Sequence, residues 1–285
     1  PDSAYHYVKA QCDFGPRVPG TEAHAACLNY FIEQFNRFNA DTVIVQEGEM
    51  AIYDGTKKPI RNVVASYGLG KPNRVMICAH WDSRPFADKD ENIDNRHKPI
   101  IGANDGASGV GVILELARQL GLKDASMGVD LILFDLEDWG APDWAQSTLP
   151  DGGWALGSKY WASRPHIPGY HAQFAILLDM VGGRGAQFYR EYFSEQYAGW
   201  VVDRVWNKAA DLGLGQVFVN QHGGGVTDDH INVIRAGIPC IDIINFQADT
   251  ESSFGDYWHT HNDDMRNIDP STLNAVGRVL MEIVY

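Results

Sequence analysis

The residues in this chain that could do chemistry are acids and histidines, and they gather where apolar runs end. His80 and Asp82 follow the run ending at Ala79. Asp105 lies in the glycine-rich turn 102–109, and Glu137 and Asp138 follow the run ending near Asp135. Asp179 closes the run that starts at Phe174, Asp228-Asp229-His230 precede a further segment, and His259 lies in Tyr257-Trp258-His259-Thr260. Brought to one crevice, these groups would place like charges a few ångströms apart, which is unfavourable without a cation. A divalent metal removes that penalty. The donors are carboxylate and imidazole, with no thiolate. Two carboxylates and one histidine with an open fourth position suit a catalytic zinc, whereas carboxylates alone would favour magnesium or calcium. Each residue taken singly has a plainer reading, an Asp as a helix cap or a His as a surface donor. Their placement at consecutive strand ends favours the metal site.

Such a cluster needs a scaffold. Short apolar strands alternate with helix-period segments, which predicts an α/β fold with a central mixed, largely parallel twisted sheet flanked by helices. Strands are expected at 62–66, 74–79, 129–135, 174–179 and 238–244. The last three are near-continuous apolar runs, as in strands covered on both faces. Helices are expected at 21–38, 107–120 and 197–212. A last helix follows Asp269, an N-cap residue with Pro270 at the first helical position. In an open sheet of this kind the carboxyl ends of the parallel strands face one crevice, where ligands bind. The polar loop 84–100 and the loop 139–156, rich in Trp, Gly and Pro, are long enough to shape a site. With no repeat, low-complexity tract or linker, one domain over residues 1–285 is expected.

Composition narrows the classes. The chain has 285 residues, 45% hydrophobic and 21% charged, which excludes a disordered chain, a collagen and a coiled coil. No apolar run approaches the roughly 20 residues of a membrane span. Acidic residues number 37 and basic ones 23, a net charge of −14. That charge repels nucleic-acid backbones and anionic membranes, so no nucleic-acid partner is expected. The four cysteines, Cys12, Cys27, Cys78 and Cys240, are far apart with no CxxC, so neither a zinc knuckle nor a redox motif is present. Cys78 and Cys240 read as small buried hydrophobes, and pairing of Cys12 with Cys27 is left open. Because the sequence starts at Pro1, any targeting signal lies outside view. Residues 88–94 mimic a calcium loop, but Ile93 stands where glycine is needed and Pro99 where glutamate is needed, so a solvated loop is expected. No GxSxG elbow, phosphate-loop lysine or dinucleotide spacing occurs.

Several segments carry a family likeness. His80-Trp81-Asp82-Ser83, Gly102-Ala103-Asn104-Asp105-Gly106, Phe134-Asp135-Leu136-Glu137-Asp138, Leu177-Leu178-Asp179-Met180, Asp228-Asp229-His230 and Trp258-His259-Thr260 resemble the zinc aminopeptidase superfamily with its M28-type metallopeptidase fold. Within it the sequence is most similar to the glutaminyl-peptide cyclotransferases of animal type, the glutaminyl cyclases. The Trp139-rich loop and the glycines at 182–185 are closer to bacterial relatives. The likeness runs from Phe14-Gly15-Pro16-Arg17 to the last helix. It implies a zinc aminopeptidase-like fold with zinc bound by Asp105, Asp138 and His259. It implies Glu137 as general acid/base, with Asp179 and Asp228 as a hydrogen-bonded acid network beside it. It also implies Trp258 and Trp144 as walls of a pocket for a glutamine side chain.

The implied reaction is an acyl transfer, the cyclisation of the N-terminal glutamine of a peptide or protein to pyroglutamate with release of ammonia. One zinc ion is expected. The alternative is a two-zinc aminopeptidase in which Glu137 activates a water, His80 and Asp179 ligate the second metal, and Asp105 bridges; the sequence retains both residues. A catalytically dead binding module on the same fold is disfavoured because every ligand position still holds Asp or His. Two departures stand out. Asp138 occupies a position where the family usually has glutamate, and Asp242 one where animal relatives carry histidine. Family analogy implies an exported, periplasmic location.

Overall fold

The computed structural model describes residues 2–248 and 253–285. Helix α1 (Asp2–Asp13) leads to α2 (Glu22–Arg37), which begins where the Thr21 side chain accepts a hydrogen bond from the His24 N–H at 3.2 Å. Strands β1 (Thr42–Ala51) and β2 (Lys57–Tyr67) form an antiparallel hairpin, followed by β3 (Arg74–His80), helix α3 (Ala107–Leu120) and β4 (Gly128–Phe134). Then come α4 (Leu156–Ser163), β5 (Ala175–Asp179), the short β6 (Phe188–Arg190) and α5 (Tyr192–Asp211). The chain ends with β7 (Phe218–His222), α6 (Asp229–Arg235), β8 (Cys240–Ile244) and α7 (Pro270–Val284).

Six strands form the main sheet in the order β1-β2-β4-β3-β5-β8. The β4-β3-β5-β8 portion is parallel, and β2 joins it antiparallel to β4. The sheet is therefore mixed and largely parallel, as the sequence predicts. Strand alternation divides the core between its two faces. Val75, Ile77 and Ala79 of β3 join Leu131 and Leu133 of β4 under α1, α2, α3, α5 and α7. Met76 and Cys78 point the other way, with Ile132 and Phe134, against Trp161 of α4 and Val233 of α6.

The last helix starts as expected, with Asp269 accepting the Ser271 N–H and Pro270 in the first turn. The sequence reading left out α1, β1, α4, α6, β6 and β7. Strand β1 (TVIVQEGEMA) is a half-exposed edge strand with no fully buried residue, and α4 and α6 span only 8 and 7 residues, too short to show a period. Among the described residues Cys12, Cys27, Cys78 and Cys240 are free thiols. Burial pushes the Cys12 and Cys27 thiols up to about 12. No described helix is long and apolar enough to cross a membrane.

Candidate active site

The parallel strands deliver their C-terminal ends to one edge of the sheet, and loops from that edge fold over it. His80 is the last residue of β3 and Asp179 the last of β5, while Glu137 and Asp138 lie just beyond β4. The turn at Glu137 and Asp138 is held by Asp82, whose two carboxylate oxygens accept their N–H groups at 3.0 and 3.1 Å. Asp263 does the same for the Asp105 turn, accepting the N–H groups of Asn104 and Asp105 at 2.7 and 3.0 Å. Asn104 and Ser108 accept the N–H groups of Gly182 and Val181, at 2.9 and 3.0 Å, and tie that turn to the exit of β5. Gly106 is needed in this turn. Its φ is +97°, and an added Cβ would lie 2.7 Å from His80 Cε1.

Backbone strain collects here too. Leu136, Met180 and His259 adopt φ of 54°, 47° and 55°. Each such residue costs on the order of 1–3 kcal/mol and persists only where surrounding contacts enforce it. The three positions are His259 itself and the neighbours of Glu137 and Asp179.

Two triads of donor atoms close around Asp105. In the first, His259 Nε2 lies 3.4 Å from Asp138 Oδ1 and 3.6 Å from Asp105 Oδ2. In the second, His80 Nε2 lies 3.0 Å from Asp105 Oδ1 and 3.3 Å from Asp179 Oδ1. Within each triad the donor atoms all lie within 4.8 Å of one another. Tetrahedral zinc with bonds of roughly 2.0–2.2 Å spaces its donors about 3.3–3.6 Å apart, and both distances from His259 Nε2 in the first triad fall in that range. The buried Asp138 Oδ2, His80 Nε2 and Asp179 Oδ1 have no hydrogen-bond partner, as expected of atoms that a cation satisfies. Asp138 thus reaches the triad despite being one methylene shorter than glutamate.

A buried bolt stands behind the first triad. The Arg84 guanidinium, fully buried, grips Asp88 through two hydrogen bonds of 2.6 and 2.7 Å, and its Nη1 lies 3.3 Å from Asp138 Oδ1. Asp88 Oδ1 in turn lies at ion-pair distance, 3.4 Å, from His259 Nδ1, the ring nitrogen that faces away from the triad, though the two make no hydrogen bond. A carboxylate there sets the tautomer and angle of a metal-bound imidazole. Burial alone would raise the Asp88 carboxyl; Arg84 and His259 outweigh it and hold it well below the usual range. Asp88→Asn is expected to weaken zinc binding by about 10- to 100-fold, measured by competition with a chromogenic chelator. Unchanged affinity would remove Asp88 from this role. The solvated-loop expectation therefore fails at Asp88 and Asp90, which are 3% and 8% exposed, and holds at Glu91, Asn92 and Ile93.

The charges respond to this crowding. Burial, then the charges of Asp138, Asp228 and Asp229, raise the Glu137 carboxyl well above the ordinary range, against the pull of His80. Burial and the Asp228 charge raise Asp179 to about 7. For His80 the sign is opposite: burial works against its imidazolium, and Asp105, Asp179 and Asp82 outweigh it. Burial and the Arg84 charge oppose the His259 imidazolium, and Asp138 and Asp88 outweigh them.

Asp105, Glu137, Asp138, Asp179, Asp228, Trp258 and His259 line one cleft of about 280 Å³. Of the expected site residues, His80 sits behind its floor, and Trp144 is not in the wall. Trp144 is 42% exposed and packs its ring on Phe86 and His97. Trp154 of the same loop takes the wall position. Its ring lies parallel to His259 at 6.0 Å between centroids and rests 4.7 Å from the Arg84 guanidinium. Gly140 permits this, because any Cβ there would collide with the Trp154 ring. Sequence reasoning also missed Arg84, Asp88 and Asp263. The one available signal was the Arg84-to-Asp88 spacing directly after the His80-Trp81-Asp82-Ser83 motif.

A mixed, largely parallel sheet with buried acid-histidine triads along one edge fits a zinc-dependent enzyme. Residues 62–284 match the model of peptidase family M28, and the chain belongs to that family. It superposes on a solved glutaminyl cyclase from Tannerella forsythia with a TM-score of 0.96 at 50% identity, covering 100% of this chain and 97% of that one. A solved Zn-dependent exopeptidase from Parabacteroides distasonis gives 0.97 at 47% identity, with the same coverage. The glutaminyl-peptide cyclotransferase of Bos taurus is 25% identical over 295 residues, 94% of this chain and 77% of that protein.

Proposed function

We propose that this enzyme converts the N-terminal glutamine of peptides and proteins to pyroglutamate with release of ammonia, using one zinc ion at Asp105, Asp138 and His259. The observation that carries this reading is the make-up of the cleft. The raised carboxyl of Glu137 shares one cleft with the zinc triad and with that of Asp179, inside a wall of Trp154, Phe254, Trp258, Met180, Val226 and Ile244. At about 280 Å³ the cleft is at the small end of ligand cavities, a size suited to one glutaminyl residue. The full-length likeness to glutaminyl cyclases supports the same reading.

Zinc bound by this triad supplies Lewis-acid polarisation of the γ-carbonyl. The rest is the work of the chain. Glu137 accepts a proton from the α-nitrogen as that nitrogen bonds to the γ-carbonyl carbon. It returns a proton to the carboxamide nitrogen, which leaves as ammonia when its bond to carbon breaks. One carboxyl serves both transfers best when its pKa lies near the working pH, and burial with the neighbouring acids raises Glu137 in that direction. The transfer needs no water, and an aromatic wall disfavours it.

The second triad, His80-Asp105-Asp179, supports a second reading, a two-zinc aminopeptidase in which Glu137 activates water. Mass spectrometry of a Gln-Xaa-Xaa peptide and a Leu-Xaa-Xaa control separates the two. Loss of ammonia from the glutamine peptide alone, with every peptide bond intact, is the expected result. Release of the first residue from either peptide would make this an aminopeptidase.

A further inference from the structure

We propose that Glu191 is a positioning residue that aims the Asp228 carboxylate into the cleft, gripping the chain on both sides of it. The proposal rests on the reading of Asp228 as part of the catalytic acid network.

Asp228 has little local structure to hold it. It caps α6, a helix of seven residues, with its side chain accepting the Asp229 N–H at 2.5 Å. A helix this short does not stabilise itself. The approach is Gly223-Gly224-Gly225, the most permissive backbone available. Something outside the segment must fix it.

Glu191 is 2% exposed and precedes α5. Its Oε1 accepts the N–H groups of Phe193 and Val226, each at 3.0 Å. Its Oε2 accepts the Ser194 N–H at 2.6 Å and the Ser194 hydroxyl at 2.7 Å, and lies 3.4 Å from His230 Nε2. Val226 and His230 stand two residues before and two residues after Asp228. The Ser194 hydroxyl also accepts the N–H of Asp242 at 2.9 Å, which ties the same hub to β8 behind the cleft. Burial would raise the Glu191 carboxyl, but His230 and Ser194 hold it at about 2, so the hub stays ionised. Capping α5 requires only the Phe193 and Ser194 contacts, a task that Asp, Asn or Ser performs more often. The hydrogen bond to Val226 and the ion-pair contact with His230, which makes no hydrogen bond, do nothing for α5; they hold the Asp228 segment.

The test is a double-mutant cycle on the zinc-loaded enzyme with Glu191→Gln, Asp228→Asn and the pair. Glu191→Gln is expected to lower kcat about 10- to 100-fold, the effect of displacing a reacting group by roughly an ångström. KM and zinc per chain should stay close to wild type, while the melting temperature falls, because the amide nitrogen cannot accept the hydrogen bonds the carboxylate takes. The pair should be no slower than Asp228→Asn alone, because Glu191 acts through Asp228. Losses that multiply in the pair, or an unchanged kcat for Glu191→Gln, would overturn the proposal. Full activity of Asp228→Asn would instead strike down the reading of Asp228 on which it rests. If Glu191→Gln does not fold, His230→Asn severs one arm, and the same cycle decides by the same criteria.

Discussion

Glu137→Gln is expected to fold, bind zinc with wild-type stoichiometry and lose about 10²- to 10⁴-fold in kcat on a glutamine peptide. At about 1.4 kcal/mol per decade that is roughly 3–6 kcal/mol of transition-state stabilisation. The amide keeps the shape and the aromatic surroundings but cannot accept the α-nitrogen proton. Glu137 is not among the triad donors, so metal content and turnover should separate cleanly. The pH profile carries the same assignment. Glu137 works first as a base, so it must be ionised, and burial with Asp138, Asp228 and Asp229 raises its carboxyl. Activity of the wild type should therefore rise with pH through that raised pKa, and this limb should be missing in Glu137→Gln. Full activity of the variant, or an unchanged acid limb in its residual activity, would show that another group moves the proton.

His259→Ala is expected to lose both zinc and turnover. The substitution removes the one imidazole of the first triad and leaves Asp105 and Asp138, two carboxylates beside Arg84. It also opens a gap between the Trp154 and Trp258 rings that flank it. Metal analysis after dialysis should find zinc per chain near zero, with kcat at the detection limit. Zinc retained at one per chain would place the ion in the His80-Asp105-Asp179 triad instead. Zinc binding displaces protons from His259, whose imidazolium is favoured by Asp138 and Asp88. Affinity in the wild type should accordingly weaken as pH falls.

The two variants together distinguish the roles that acids and histidines play in one crowded cleft. Sequence reasoning could list those acids, but it could not rank their pKa values. The rank depends on which carboxylates share a desolvated space. Asp179 and Asp228 are 49 positions apart in the chain, yet the Asp228 charge helps lift Asp179 to about 7.

The same division runs through the fold. Helix 107–120 and the strands at 74–79 and 129–135 were legible because burial demands apolar residues, at the helical period in the first and as near-continuous runs in the strands. Strand β1 and helices α4 and α6 were not, since an edge strand needs no continuous apolar face and one or two helical turns carry no period.

What the sequence by itself determined is the sheet, its largely parallel order, and the acids and histidine that the loops and strand ends offer: Asp105, Glu137, Asp138, Asp179 and His259. The sheet follows from local rules, in which a near-continuous apolar run sets a buried strand. What only the tertiary structure decided is how the donors are held and what covers them. Arg84 and Asp88 come from a loop that reads as solvated, yet they bolt Asp138 to His259. Trp154, not Trp144, closes the cleft, and Glu191 clamps the segment of Asp228. Each depends on a contact between residues distant in sequence, made where a long loop folds back over the sheet edge, and no periodicity in the loop records where that contact will fall.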